Sequence, residues 1–346
     1  MFLKIKNKVE KELVRFIRNL DKTYSLSKIS PILYRSIKDF ISRQGKRIRP
    51  AFFIIGYLGF TKKTPPGLYR TALSLELLHD FMLVHDDIID KSRMRRGQPS
   101  VHAALNQYLS KQRNLKFNGQ DLAIVIGDIM YAMAIYAFLS VRENPYRKEM
   151  ALKKLTEAAF YTGSGEFIEL MFGLKSIDEI TLNNIYRIYD LKTANYTFAT
   201  PLSMGASLAG AKKSEADKLF RYGIYLGRAF QIKDDCLGIF GSQDKIGKSN
   251  LTDLKEAKKT ILIWYAYRHS NRQDKSAIRN IFSKKRVDKN DLLRARKIIS
   301  SCGALKFASD EINTLIKKAE SINRQSKMRP KYRNALNAYA RKLLSL

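Results

Sequence analysis

Apolar residues recur at intervals of three and four along most of this 346-residue chain, and that spacing constrains its fold more than any other feature. Side chains three and four apart share a helix face, so such a chain buries helical stripes against one another instead of pairing strands. Breakers are scarce, with 18 Gly and 8 Pro, which leaves few sites for tight turns. The reading is all-α. Helices are expected near residues 5–20, 31–44, 50–60, 67–91, 100–109, 120–141 and 147–172, within roughly a few residues at each end. Further helices are expected near 181–210, 214–240, 255–269, 274–282, 288–300, 302–322 and 331–345, with similar error of about a few residues. "TKKTPPG" and "LSVRENPYR" read as connections. No low-complexity linker or fixed-period repeat interrupts the pattern. With 45% hydrophobic residues, 18 Tyr and 18 Phe, one large domain over residues 1–346 has ample core.

The formal net charge of +32 invites a nucleic-acid or anionic-membrane role. The charge is spread over nearly the whole chain, however, and aromatic platforms are not interleaved with it as single-strand binding requires. Nucleic acid is therefore not expected as a partner. The first twenty residues, "MFLKIKNKVEKELVRFIRNL", carry charges every few positions, including Glu10 and Glu12, and lack the apolar core of a signal peptide. They read as a basic amphipathic helix that packs on the body of the protein, with weak peripheral contact to an acidic membrane surface as its minor alternative. "LAIVIGDIMYAMAIYAFL" (122–139) approaches membrane-span length but holds Asp128 near its middle, which favours a central helix of a soluble bundle. Cys236 and Cys302 lie far apart without metal-site spacing, which suits a reducing, cytoplasmic setting.

The chemistry is concentrated in "LLHDFMLVHDDIIDKSRMRRGQPSVH" (77–102). On a helix, Asp86 and Asp90 share a face and Asp87 sits about 100° round. Two carboxylates on one face repel unless a cation lies beside them. A hard divalent ion such as Mg²⁺, which takes oxygen ligands and completes its shell with water and phosphate, is one answer. Ordinary ion pairs with Arg95 and Arg96 are the other. A second acidic pair, Asp234–Asp235 in "FQIKDDCLGIFGSQDKIGKSNLTDLKEAKKT" (230–260), followed by Lys248 and Lys258, favours the first. Metals on aspartates, together with arginines and lysines, form a clamp for diphosphate oxygens.

These segments resemble the trans-type polyprenyl diphosphate synthases. "RQGKRIRP" (43–50) is similar to that family's Gly-Lys-x-x-Arg-Pro segment, and "LELLHDFMLVHDDIID" with "MRRGQPSVH" to its first Asp-rich motif. "LKTA" (191–194) is similar to its Lys-Thr signature, and "FQIKDDCLGIFG" with "GKSNLTDLKEAKKT" to its second Asp-rich region. The resemblance runs in order along nearly the whole chain. It implies an all-α fold of isoprenoid synthase type with the two Asp-rich helices facing one another across a deep central cavity, and a homodimer. The implied reaction is head-to-tail condensation of isopentenyl diphosphate with an allylic diphosphate. Mg²⁺, three ions to a site, would be held by Asp86, Asp90 and Asp234, supported by Asp87 and Asp235. Lys46, Arg49, His79 and Arg96 would hold isopentenyl diphosphate. Arg95, Lys192, Thr193, Gln231, Lys248 and Lys258 would line the allylic side.

Two departures bear on this expectation. Gly238 stands where many members have a third Asp, and Ala257 stands where Gly is frequent. A terpene cyclase would share the Asp-rich helix but need no second diphosphate site, against which "GKRIR" and the paired Asp regions argue. A non-catalytic partner subunit would be expected to lack Asp86, Asp90 or Asp234, and all three are present. In the family the growing chain runs down along the first Asp-rich helix. Met82, four before Asp86, shares its face, while Phe81 lies one step round and about 7.5 Å below it by helical rise. A bulky residue at that place is associated with products of about fifteen to twenty carbons, and pocket depth supplies the reason. Geranylgeranyl diphosphate is the expected product, with farnesyl or a longer prenyl diphosphate as the alternative.

Overall fold

The structure, a computed structural model, describes residues 1–241, 254, 256–284 and 286–344. Helices form where the apolar spacing predicts them. The first part of the chain holds α1 (Phe2–Tyr24), α2 (Leu26–Ile29), α3 (Pro31–Ser42), α4 (Ile48–Leu58), α5 (Leu68–Ile89), α6 (Val101–Leu109), α7 (Gly119–Phe138) and α8 (Pro145–Gly173). The second part holds α9 (Leu182–Ile188), α10 (Thr200–Leu208), α11 (Lys213–Phe240), α12 (Ile261–His269), α13 (Arg272–Ser283), α14 (Lys289–Ser301), α15 (Ala304–Arg324) and α16 (Pro330–Leu344). The protein is all-α; among the described residues its strands are two short segments, β1 (Met94–Arg95) and β2 (Gln98–Pro99), paired antiparallel.

Caps explain several boundaries. Ser30 accepts from Leu33 N ahead of Pro31 at the first helical position of α3. Asn118 with Asp121 and Asp288 with Asp291 form capping boxes at the starts of α7 and α14. Two boundaries differ from the sequence reading. The run expected at 181–210 is α9 and α10 joined by a π-helical stretch, Tyr189–Ala199, and such wider turns collect at functional positions. The helix expected from 255 begins only after Thr260, because Ala257 takes the left-handed conformation with φ +51° and stops any helix through it.

The residues group into two compact units, 1–153 with 204–211, and 154–203 with 212–346. In the first, α5 packs along α7 and against α4 and α1. Its core side chains include Phe52, Phe53, Leu73, Leu77 and Phe138. The apolar face of α1, Ile5, Val9, Leu13, Phe16, Ile17 and Leu20, is buried here. Arg47 on Glu10 and Arg70 on Glu12 fix the helix further. Its hydrophobic side is thus consumed by packing. Helix α7 is long and apolar enough to cross a membrane by length and composition, yet it lies along α5 and α6 with Asp128 exposed. In the second unit α11 is central, packed on the π stretch and on α15. Gly227 permits that approach: a Cβ there would lie 2.3 Å from Ala194 Cα.

Candidate active site

Asp86 and Asp87 lie in the last turn of α5 and Asp90 is its C-cap. Carboxylates at that end meet the negative pole of the helix dipole, and the turn contains no basic residue of its own. The placement opposes helix stability and calls for a cation from elsewhere. One comes from the hairpin that follows. Arg96 and Gly97 have φ of +54° and +74°, the two consecutive positive values of a type I′ turn, which folds β2 back on β1. Arg95 is thereby returned to α5, donating from Nε to Asp87 Oδ1 at 2.8 Å and from Nη2 to the same oxygen. Burial pushes the Asp87 carboxyl up to about 6, against the lowering effect of Arg95. Asp86 and Asp90 remain partly exposed.

On the same unit lie the residues expected to take isopentenyl diphosphate. Lys46 is exposed, while Arg49 and Arg96 are partly buried. Burial, followed by the nearby charges of Arg49, Arg96, Arg95 and Arg47, holds the His79 imidazole well below its ordinary range, so His79 is neutral at pH 7. Arg49, His79 and Arg96 are therefore electrostatic neighbours. Arg47 is different: it is buried and donates to Glu10, Glu76, Ile41 O and Arg43 O. It fixes the segment instead of offering a donor to a ligand. Phe81 and Met82 are partly buried, and the Phe81 ring lies 4.8 Å from that of His85 and 5.3 Å from that of Tyr131.

In the second unit, Asp234 and Asp235 have divided fates. Asp234 is partly exposed, whereas Asp235 is buried. Asp235 accepts from Tyr189 Oη and, at 3.0 Å, from Gln231 Nε2. Gln231 Oε1 in turn accepts from Thr193 Oγ1 at 2.7 Å. Asp235 is thus the anchor of a chain that orients Gln231 and Thr193. Burial and Asp235 hold the Tyr189 phenol well above its ordinary range, so it remains a donor. Lys192, in the π stretch, forms ion pairs with Glu166 and, at 2.6 Å, Glu169 of α8. Lys258 pairs with Glu256 at 2.6 Å. Lys248 lies outside the described residues.

Glu166, Glu169 and Tyr131 are not singled out by sequence reasoning. The signal for the first two was present, since acids three apart share a helix face, but their partner Lys192 is far away in the chain. Tyr131 is invisible until α7 lies on α5.

The aspartates suit Mg²⁺ by the chemistry of their donors. Asp86 and Asp90 offer hard oxygens from one face, and the buried Asp87 Oδ2 has no hydrogen-bond partner among the described residues. No group of three or more His, Cys, Asp or Glu converges on one point among those residues. An ion held there would draw its remaining ligands from water and phosphate, which is how Mg²⁺ is ordinarily bound.

Comparison with known proteins identifies the family. The family model for polyprenyl synthetase matches residues 30–299. The geranylfarnesyl diphosphate synthase of Aeropyrum pernix is 32% identical over 292 residues, covering 82% of this chain and 84% of that one. The geranylgeranyl diphosphate synthase of Sulfolobus acidocaldarius is 29% identical, covering 91% of each. Among solved structures, the geranylgeranyl pyrophosphate synthase of Corynebacterium glutamicum, complexed with isoprenyl diphosphate and magnesium, superposes with a TM-score of 0.91 at 25% identity over 100% of this chain and 99% of that one. With the family model spanning most of its length, the chain belongs to the polyprenyl synthetase family of prenyltransferases.

Proposed function

We propose that this enzyme condenses isopentenyl diphosphate head to tail with an allylic diphosphate, with Mg²⁺, and releases geranylgeranyl diphosphate. Farnesyl or a longer prenyl diphosphate is the alternative product, since the relatives include synthases of more than one chain length. The observation that carries the reading is the end of α5, where three aspartates stand at the unfavourable pole of the helix with Arg95 folded back onto Asp87 and Arg96 beside Asp80 of the same helix.

In this reading Asp86, Asp90 and Asp234 hold Mg²⁺, three ions to a site, which when bound neutralises charge developing on the leaving diphosphate. Arg95, steadied by Asp87, takes the allylic diphosphate with Lys192, Thr193, Gln231, Lys248 and Lys258. Asp235 keeps Gln231 in orientation. Glu166 and Glu169 hold the Lys192 Nζ in place. Lys46, Arg49 and Arg96 bind the second diphosphate through charge, and neutral His79 contributes a hydrogen bond. The isopentenyl double bond attacks the allylic cation once diphosphate departs, and the departing diphosphate accepts the proton. Apolar walls keep water from the cation.

A second copy of the chain is the partner inferred for the exposed apolar residues of α7, Ile124, Val125 and Tyr136, and a cytoplasmic setting belongs to the same reading. With the apolar face of α1 buried, any membrane contact by that helix rests on its charges. The direct test is incubation with labelled isopentenyl diphosphate, Mg²⁺ and each of dimethylallyl, geranyl and farnesyl diphosphate, sizing the products after phosphatase treatment. Elongation of at least one primer is expected, and elongation of none rejects the reading.

A further inference from the structure

Asp80 is the most completely buried carboxyl on α5, with 0% of its side chain exposed, and neither of its oxygens has a hydrogen-bond partner among the described residues. Such a group is costly unless something compensates it. Its neighbour is Arg96, whose Nη1 stands 3.8 Å from Asp80 Oδ1. That distance is an ion pair but too long for a hydrogen bond. The same Nη1 is buried and also lacks a hydrogen-bond partner among the described residues. Here, then, are a donor and an acceptor side by side, neither satisfied by the other.

Arg96 is the ion-pair partner of Asp80, and the surroundings explain why Arg47 does not take its place. Glu76, one turn earlier on α5, adds a like charge and already occupies Nη1 of Arg47 at 2.7 Å. Every nitrogen of Arg47 is engaged, with Glu10 of α1, Glu76, Ile41 O and Arg43 O. Arg49 on α4 and Arg96 on the hairpin supply the other facing charges, and the neighbouring His79 is neutral. Burial first, then Glu76, raises the Asp80 carboxyl to about 8 in spite of the three arginines.

Resting on the assignment of Arg96 to isopentenyl diphosphate, we propose that Asp80 is a positioning residue: ionised it restrains Arg96, protonated it releases Arg96 to the diphosphate. Diphosphate binding and proton uptake at Asp80 are then linked, because an anion on Arg96 disfavours a second negative charge 3.8 Å from that guanidinium.

The test is the KM for each substrate between pH 6.5 and 9.5, in wild type and in Asp80→Asn, which is nearly isosteric and permanently neutral. In wild type, KM for isopentenyl diphosphate should rise up to about tenfold per pH unit above the shifted pKa, while KM for the allylic substrate stays level. In Asp80→Asn the rise should disappear with kcat little changed. A purely structural role would move kcat or stability and leave the two pH profiles parallel, and that overturns the inference. Calorimetry of isopentenyl diphosphate with wild type, in two buffers of different ionisation enthalpy near pH 8.5, needs no variant; it should give net proton uptake, and none overturns the inference. Wild-type turnover at pH 7 tests the underlying reading by itself: if turnover is present, only the pH results bear on Asp80; if absent, both fall.

Discussion

Arg95 reaches back over the hairpin to Asp87, placing two nitrogens on one carboxylate oxygen. The pair commits the buried Asp87 to Arg95, whereas Asp86 and Asp90 stay partly exposed at the end of α5. Asp86→Ala and Asp234→Ala should each lower turnover by roughly 10²-fold or more, because each removes a ligand to ions that carry leaving-group charge. Asp87→Asn should act instead through Arg95, raising the allylic KM more than it lowers kcat at saturating Mg²⁺. Initial rates against metal and substrate concentration separate the two effects. Near wild-type turnover in Asp86→Ala would dismiss the metal assignment.

Arg49→Ala and His79→Ala are expected to weaken isopentenyl diphosphate chiefly, since neither is assigned to the leaving group. With His79 already neutral at pH 7, the His79→Ala effect should be constant between pH 6 and 8. An effect confined to the allylic KM would mean that the two subsites had been exchanged.

Much of this was legible in the sequence because it depends on periodicity. The three-four spacing specifies which stretches are helical, and Asp86, Asp87 and Asp90 announce themselves as acids inside an apolar run. What was hidden depends on contacts between distant segments. Asp235 looks equivalent to Asp234 until Tyr189 and Gln231 close on it, and Lys192 looks free until α8 brings Glu166 and Glu169. Asp80 was disguised as one more polar residue in a patterned helix. The hairpin at Arg96–Gly97 was too short to leave an alternating pattern, although Gly97 in a tight turn was its trace.

Ala257 offers a test on stability. Its φ of +51° costs an L-residue about 1–2 kcal/mol, and Gly there loses about 0.5–1 kcal/mol in unfolded-state entropy. Ala257→Gly should therefore leave stability unchanged or raise it by up to about 1.5 kcal/mol, read as a higher urea midpoint at constant m-value. A lower midpoint would show that this turn is not strained.

Asp80 gives stability a pH dependence as well. Its folded pKa, about 8, lies above the ordinary carboxylate value, so the folded state binds the proton more tightly than the unfolded chain. Its contribution is full at acid pH and is lost as pH rises through about 8. Urea midpoints should decline from pH 6 to pH 9 in wild type and decline less in Asp80→Asn. Parallel declines would remove Asp80 as the source.

Phe81 and Tyr131 set rings from α5 and α7 5.3 Å apart at an angle of 51°, a tilted aromatic contact that holds each ring against the other. Phe81 is five residues before Asp86, about 7.5 Å down the helix by its rise. A prenyl chain growing along α5 would therefore meet a paired stop instead of a single side chain. Phe81→Ala should lengthen the product by one or more five-carbon units while metal-dependent turnover persists. Tyr131→Ala should lengthen it less, because Phe81 remains but gains freedom to swing aside, and Met82→Ala should add to Phe81→Ala from the neighbouring face. Product sizing after phosphatase treatment, with circular dichroism to verify folding, reads all three. An unchanged distribution in Phe81→Ala and in the Phe81→Ala/Met82→Ala double variant would place the floor of the pocket elsewhere and leave the aromatic pair as core packing.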